Sequence, residues 1–246
     1  LHFKKLPSLT AAVAFMISAP MVFIHWSTVH VDLLLPLLLL ALEQLIKNPK
    51  PQQAAVTAAV VALTCFAGNP EHVFLVNAYG FLFFCFRYAM KYHRQRQLCQ
   101  TAFSFAGAYL LGAGLAAIVL FPFLQNWMYE FWHAHSDYIG MIPEGKNIRT
   151  QTLINFIIPH FFQKEIVTLS FERSTFWGHI GIIPLGLVIL GLVSKQKRGL
   201  NYFFVLMAIV IFMKSYVDFP VTNWIGWLPG FRHCRFTHHT QHLFAF

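Results

Sequence analysis

A succession of long apolar runs, broken by short basic or proline- and glycine-bearing stretches, constrains this chain more than any other feature. Residues 8–26, 28–46, 52–68, 70–90, 98–124, 174–193 and 200–217 are each mainly apolar. A helix needs about 17 to 25 such residues to cross the hydrocarbon core of a bilayer. Only 11% of the 246 residues are charged, against about 25% in a soluble domain, which is too few to coat a water-facing surface. In lipid, backbone N–H and C=O groups must be satisfied within the segment, so these runs are expected to be helices. The sequence therefore reads as all-α, a polytopic transmembrane helical bundle of about seven spans, with residues 1–246 forming a single transmembrane domain. The polar stretch 125–173 is expected to be an extracytoplasmic loop whose 153–162 part is apolar enough to lie along the interface as a helix. Starting at Leu1 and stopping within an apolar stretch, the sequence is read as an internal piece of a longer protein.

The net charge of +9 does not point to nucleic acid. Its basic residues fall in small clusters between spans, with no interleaved exposed aromatics, and they read as topology signals. With alternating spans, one face collects 11 of the 18 basic residues, among them Lys47, Lys50, Arg87 and Lys91, with Glu43 as its sole acid. The other face holds the remaining seven basic residues, eight acids and 11 of the 13 histidines. By the positive-inside rule the first face is cytoplasmic, so acids and histidines gather outside. The four cysteines lack CxxC spacing, and neither a disulfide framework nor a zinc ribbon follows.

Several outer clusters could carry chemistry. His133, His135 and Asp137 stand two residues apart, which in an extended segment puts all three on one side, within reach of a divalent cation. A solvated polar loop accounts for the same residues. Cys234, His238 and His242 repeat every four residues, as a soft-metal stripe or as the start of an interfacial helix. Gly68, Asn69, Pro70, Glu71 and His72 spell a tight turn into a new helix. Asn69 suits the N-cap, Pro70 the first helical position, and Glu71 the positive end of the helix dipole. The same first turn could hold an anion such as a lipid phosphate. Asp32, at the outer end of the second run, is expected to reach the interface and be solvated; held deeper, it would be a functional candidate. In the fifth run Ala108, Gly112 and Ala116 recur every four residues, a spacing that lets two helix backbones approach. The common soluble catalytic signatures, GxxxxGK[ST], GxGxxG, HExxH and GxSxG, are absent.

In order and spacing these stretches resemble the YfhO family of bacterial polytopic membrane proteins, which are similar to C-type glycosyltransferases. The likeness is carried by Leu35, Pro36 and Leu37; by Gly68, Asn69, Pro70 and Glu71, where the family shows Gly-His-Pro-Gln; by Pro122; by Ile157 to Phe162 with Pro159 and His160; by Gly178 to Leu185; and by Leu228, Pro229, Gly230 and Phe231 followed by Arg235. Thr237, His238 and His239 occupy the region where the family places a proline. The resemblance implies transfer of a sugar from a polyprenyl-phosphate donor to a cell-envelope acceptor, at the outer face of the bacterial cytoplasmic membrane. The main catalytic acid of such transferases would lie upstream of Leu1. Among the residues present, the outer face offers Asp137 and Glu71 as catalytic groups, His72, Arg149 and Arg235 for substrate, and His133 and His135 for a divalent cation. The outer histidines also fit a transporter or metal-handling protein, or a membrane subunit without chemistry. Ionisable groups deep inside several spans would mark transport.

Overall fold

The computed structural model describes residues 29–91, 98–126 and 198–216, together with Ile225 and Leu228. Their regular structure is helical, with no strand among the described residues. The helices are α1 (Val29–Leu33), α2 (Leu35–Lys47), α3 (Pro51–Phe66), α4 (Pro70–Lys91), α5 (Leu98–Leu115), α6 (Ala117–Asn126) and α7 (Arg198–Tyr216). The first six belong to one compact unit, Ser27–Asp137; α7 belongs to a second, made of Leu1–Trp26 and Tyr138–Phe246.

Of the expected helical bundle of about seven spans, the described residues show the all-helical character and only part of the span count. Among the described residues one helix, Pro70–Met90, is long and apolar enough to cross a membrane, and α5 with α6 makes a second only if the bent pair is taken as one span. Shorter apolar helices occupy Pro51–Phe66 and Gly199–Ile211. The runs 8–26 and 174–193 and almost all of the loop 125–173 lie outside the described residues.

The second run breaks where its proline dictates. Pro36 has no N–H to give the carbonyl of Asp32, four residues back, and its ring crowds that carbonyl. The helix stops at Leu33 and restarts at Leu35, with Pro36 in the first turn of α2. Leu34 N–H bonds to Val31 O at 3.0 Å, a tighter three-residue closure. Between α3 and α4 the chain reverses through Ala67, Gly68 and Asn69, and Gly68 has φ 125°, a conformation side chains rarely allow. Asn69 Oδ1 then accepts from Glu71 N–H at 2.9 Å, the expected N-cap. Replacing Asn69 with Ala should lower stability by about 1 kcal/mol. That loss would be read as an earlier unfolding midpoint when SDS is titrated into mild-detergent micelles; an unmoved midpoint would remove the cap from the account.

Paired groups fix the helix directions. Glu43 and Arg87, in the last turns of α2 and α4, meet in a bidentate pair, Arg87 Nε to Glu43 Oε2 at 2.8 Å and Nη2 to Oε1 at 2.6 Å. Asp32 and His72 meet at the opposite ends of the same helices, so α1–α2 and α4 run the same way. Gln100 Nε2 donates to Pro49 O at 3.2 Å, and Gly112 lies on Ala58 and Val61, so α5 runs alongside α3. The four long helices α2 to α5 thus alternate in direction, as the sequence predicts.

Packing follows residue size. Leu35, Leu38, Leu42, Leu45 and Ile46 form the buried stripe of α2. Ala108 and Ala116 are fully buried, and a Cβ on Gly112 would sit 2.8 Å from Ala58 O and 2.8 Å from Val61 Cβ. The small-residue stripe therefore brings α5 against α3 at backbone contact. Toward α4, α5 presents rings: Phe105 stacks on Phe84 with centroids 3.9 Å apart and meets Tyr109 at 4.6 Å. Within the second unit, α7 buries Phe203 and Ile211 while Leu206 and Ile209 are exposed.

The fifth run is not one straight helix. It breaks at Ala116, and α6 leaves α5 at 77°. Ala116 is packed with Ala62 and Cys65, and Val73 and Leu120 close around them. That packing sits at the end where α3 finishes and α4 begins.

Candidate functional site

Three titratable side chains come together at this same end. Asp32 lies in the last turn before the Pro36 break, and Glu71 and His72 occupy the first turn of α4. His72 Nδ1 lies 2.9 Å from Asp32 Oδ2 and 3.1 Å from Oδ1. Both Asp32 oxygens lie within hydrogen-bond reach of this one ring nitrogen. His72 is 1% exposed and Asp32 2%. Glu71, next to His72 in sequence, is 8% exposed and has its own backbone N–H satisfied by Asn69.

This corrects the expectation for Asp32. It is not solvated at an interface but buried and held by an imidazole. The break at Leu34 turns the end of α1 toward α4 by removing the straight continuation of the helix, and capping of α4 by Asn69 fixes the height of its first turn. A buried carboxylate is tolerable only with such a partner, because an isolated charge loses its hydration with nothing in return.

The opposite end of the same helices carries a different set. Glu43 holds Arg87 bidentately and Lys47 at 3.3 Å, all on partly exposed side chains. The end with Asp32, Glu71 and His72 is thus acid- and imidazole-bearing, and the other is rich in Lys and Arg. This separation is the one the charge ledger predicts for these residues.

Between the ends the bundle holds neutral polar groups. Thr57 Oγ1 donates to Gln53 O at 2.8 Å, Thr64 Oγ1 to Val61 O at 2.7 Å, and Asn77 Nδ2 to Thr64 Oγ1 at 2.9 Å. Asn77 Oδ1 and the Tyr109 hydroxyl are buried with no hydrogen-bond partner among the described residues. Neither was singled out by the sequence, where a lone Asn or Tyr inside an apolar run carries no spacing signal.

Of the sequence-predicted site residues, the structure places Glu71 and His72 together and adds Asp32 to them. Asp137, Arg149, Arg235, His133 and His135 lie outside the described residues, as do Cys234, His238 and His242. No group of three or more His, Cys, Asp or Glu side chains is arranged to hold a metal ion among the described residues. No family model, no curated protein and no solved structure matches the chain. The resemblance to the YfhO family consequently rests on the quoted motifs alone.

Proposed function

We propose that the chain is part of an integral membrane protein of the bacterial cytoplasmic membrane, similar to a C-type glycosyltransferase. It moves a sugar from a polyprenyl-phosphate donor to a cell-envelope acceptor at the outer face. The observation that supports this most is the gathering of Asp32, Glu71 and His72 at the helix ends opposite Glu43, Lys47 and Arg87. An acid and an imidazole at one membrane face are the groups such a transfer needs. A base takes the proton from the acceptor hydroxyl as its oxygen attacks the anomeric carbon, and the polyprenyl phosphate departs with the bonding pair, its charge met by cationic or N–H donors.

In this reading Glu71 is the base supplied by the described residues, and Asp32 is a positioning residue that orients His72. Asp137 is the second candidate acid. Arg149 and Arg235 are assigned to the phosphate, and His133 and His135 to a divalent cation if one takes part. The test is transfer from a labelled polyprenyl-phosphate sugar in vesicles carrying the full-length protein. Glu71→Gln is expected to lower the rate by about 10²-fold or more, the ordinary contribution of a positioned base. Unchanged rates in Glu71→Gln, His72→Gln, Asp137→Asn, Arg149→Ala and Arg235→Ala together would dismiss the assignment.

A transporter is the second reading, favoured by the burial of Asp32 and His72 inside the bundle, since buried ionisable groups in membrane proteins mark ion paths. It predicts substrate-driven proton flux across the vesicle membrane that Asp32→Asn abolishes, with no labelled product formed.

A further inference from the structure

The bend at Ala116 and the character of α6 carry a second inference. Eighteen residues of α5 rise about 27 Å at 1.5 Å per residue, close to the roughly 30 Å thickness of a hydrocarbon core. By length alone α5 ends within about one turn of that depth. The ten residues of α6 add about 15 Å, too short for another crossing, and they leave at 77° to α5. If α5 stands near the membrane normal, α6 lies near the membrane plane.

Its surface says which plane. No residue of α6 is buried; Ile118 is 78% exposed and Phe121 65%. The first eight residues are apolar without exception, and Gln125 and Asn126 follow. Exposed apolar residues lie along both helices, among them Phe103, Leu110 and Leu115 on α5 and Ile118, Val119 and Leu124 on α6. Pro122, inside α6, gives no N–H to the carbonyl of Ile118. A freed carbonyl is costly in the hydrocarbon core but is readily hydrated at its edge.

We propose that α6 is an interfacial helix whose exposed apolar side is covered by the acyl chains of the bilayer. It lies flat at the end of the bundle that carries Glu71 and His72. Leu120 seats it there, packed with Val73, the residue after His72, against Ala62, Cys65 and Ala116. The helix forms the lipid-side flank of the acid- and imidazole-bearing turn, so a ligand with a long hydrocarbon tail would approach that turn across α6. The inference rests on the membrane placement in the proposed function and not on sugar transfer.

Nitroxide labels test it. The full-length protein, with Cys65, Cys85, Cys99 and Cys234 replaced by Ala, takes single cysteines along α5 (positions 103, 107, 110 and 114) and at each α6 position. It is reconstituted in phosphatidylethanolamine–phosphatidylglycerol vesicles, and label depth is read from collision with oxygen against a nickel chelate. Along α5 the depth should change steadily. Along α6 it should stay at one shallow level and oscillate with the helical period. In the cysteine-intact protein, amide hydrogen exchange in the same vesicles should be faster in α6 than in the middle of α5.

Depth along α6 that continues the α5 trend would overturn the inference, leaving a kinked span. So would α6 labels shielded from both relaxants, which would mean that protein covers the helix, or α6 amides as protected as those of α5. If the α5 labels met no lipid at all, the membrane placement would fail with it. Loss of sugar transfer alone touches neither result.

Discussion

Asp32→Ala is expected to destabilise the unit formed by α1 to α6 by about 3–5 kcal/mol, because it leaves His72 buried without its carboxylate. His72→Ala should cost a similar amount by taking the imidazole from Asp32, which is 2% exposed. Most of either loss is the desolvation of the group left behind rather than the worth of the contact. The double replacement Asp32→Ala with His72→Ala should therefore cost clearly less than the two single changes added together. SDS-titrated unfolding midpoints of the four proteins, wild type included, would read the cycle. Additive losses would show that the two side chains are independent, and single losses under about 0.5 kcal/mol, the range of an ordinary surface substitution, would remove the pair from the account of this fold.

Gly112→Val should be the most damaging single change on α5. A Cβ at that position meets a backbone oxygen, Ala58 O, at 2.8 Å and the branched stem of Val61 at 2.8 and 2.9 Å. Neither neighbour is the free end of a flexible side chain, so α5 must back away from α3. Overpacking of this kind costs about 1–3 kcal/mol, occasionally more, and the backbone contact puts this position at the upper end. Gly107 and Gly114 supply the control, since a Cβ on either meets nothing within 4 Å. Gly107→Ala and Gly114→Ala should stabilise by about 0.5–1 kcal/mol through helix propensity. Equal effects at positions 107, 112 and 114 would show that helix proximity at Gly112 is unimportant.

What could be read ahead of the structure was local or periodic. Gly68, Asn69 and Pro70 announce the turn into α4 because each has a backbone conformation or hydrogen-bonding habit that fits one place in it. The break between α1 and α2 was not read ahead, since 28–46 was taken as one run with Pro36 inside it. Ala108, Gly112 and Ala116 mark the face of α5 that meets α3, since small residues every four positions have few other uses. The charge ledger put Glu43 and Arg87 at one end and Asp32 and His72 at the other, yet it could not pair them. Partners 40 and 44 residues apart leave no spacing signal.

The burial of Asp32 was misjudged because sequence position gives height along a helix but not what stands beside it. The bend at Ala116 was missed for a related reason. Ala116 is an ordinary helix former, and Pro122 lies six residues further on. The break coincides instead with contacts to Ala62 and Cys65, which belong to another helix. Among the candidate site residues, the described set bears on Glu71 and His72 alone.

The two clamps joining α1–α2 to α4 also bear on how the chain is made. Both carboxylates, Asp32 and Glu43, leave the ribosome some forty residues ahead of the side chains that hold them, His72 and Arg87. During that interval α3 is being synthesised, and neither acid has yet met its partner on α4, although Glu43 already has Lys47 on its own helix. Arrival of α4 then closes both contacts in one step, because a slide by one helical turn, about 5.4 Å, would miss both. Assembly of this unit is thus gated by its fourth helix: a nascent chain halted before Arg87 should remain extractable and protease-sensitive, and one extended past it should not.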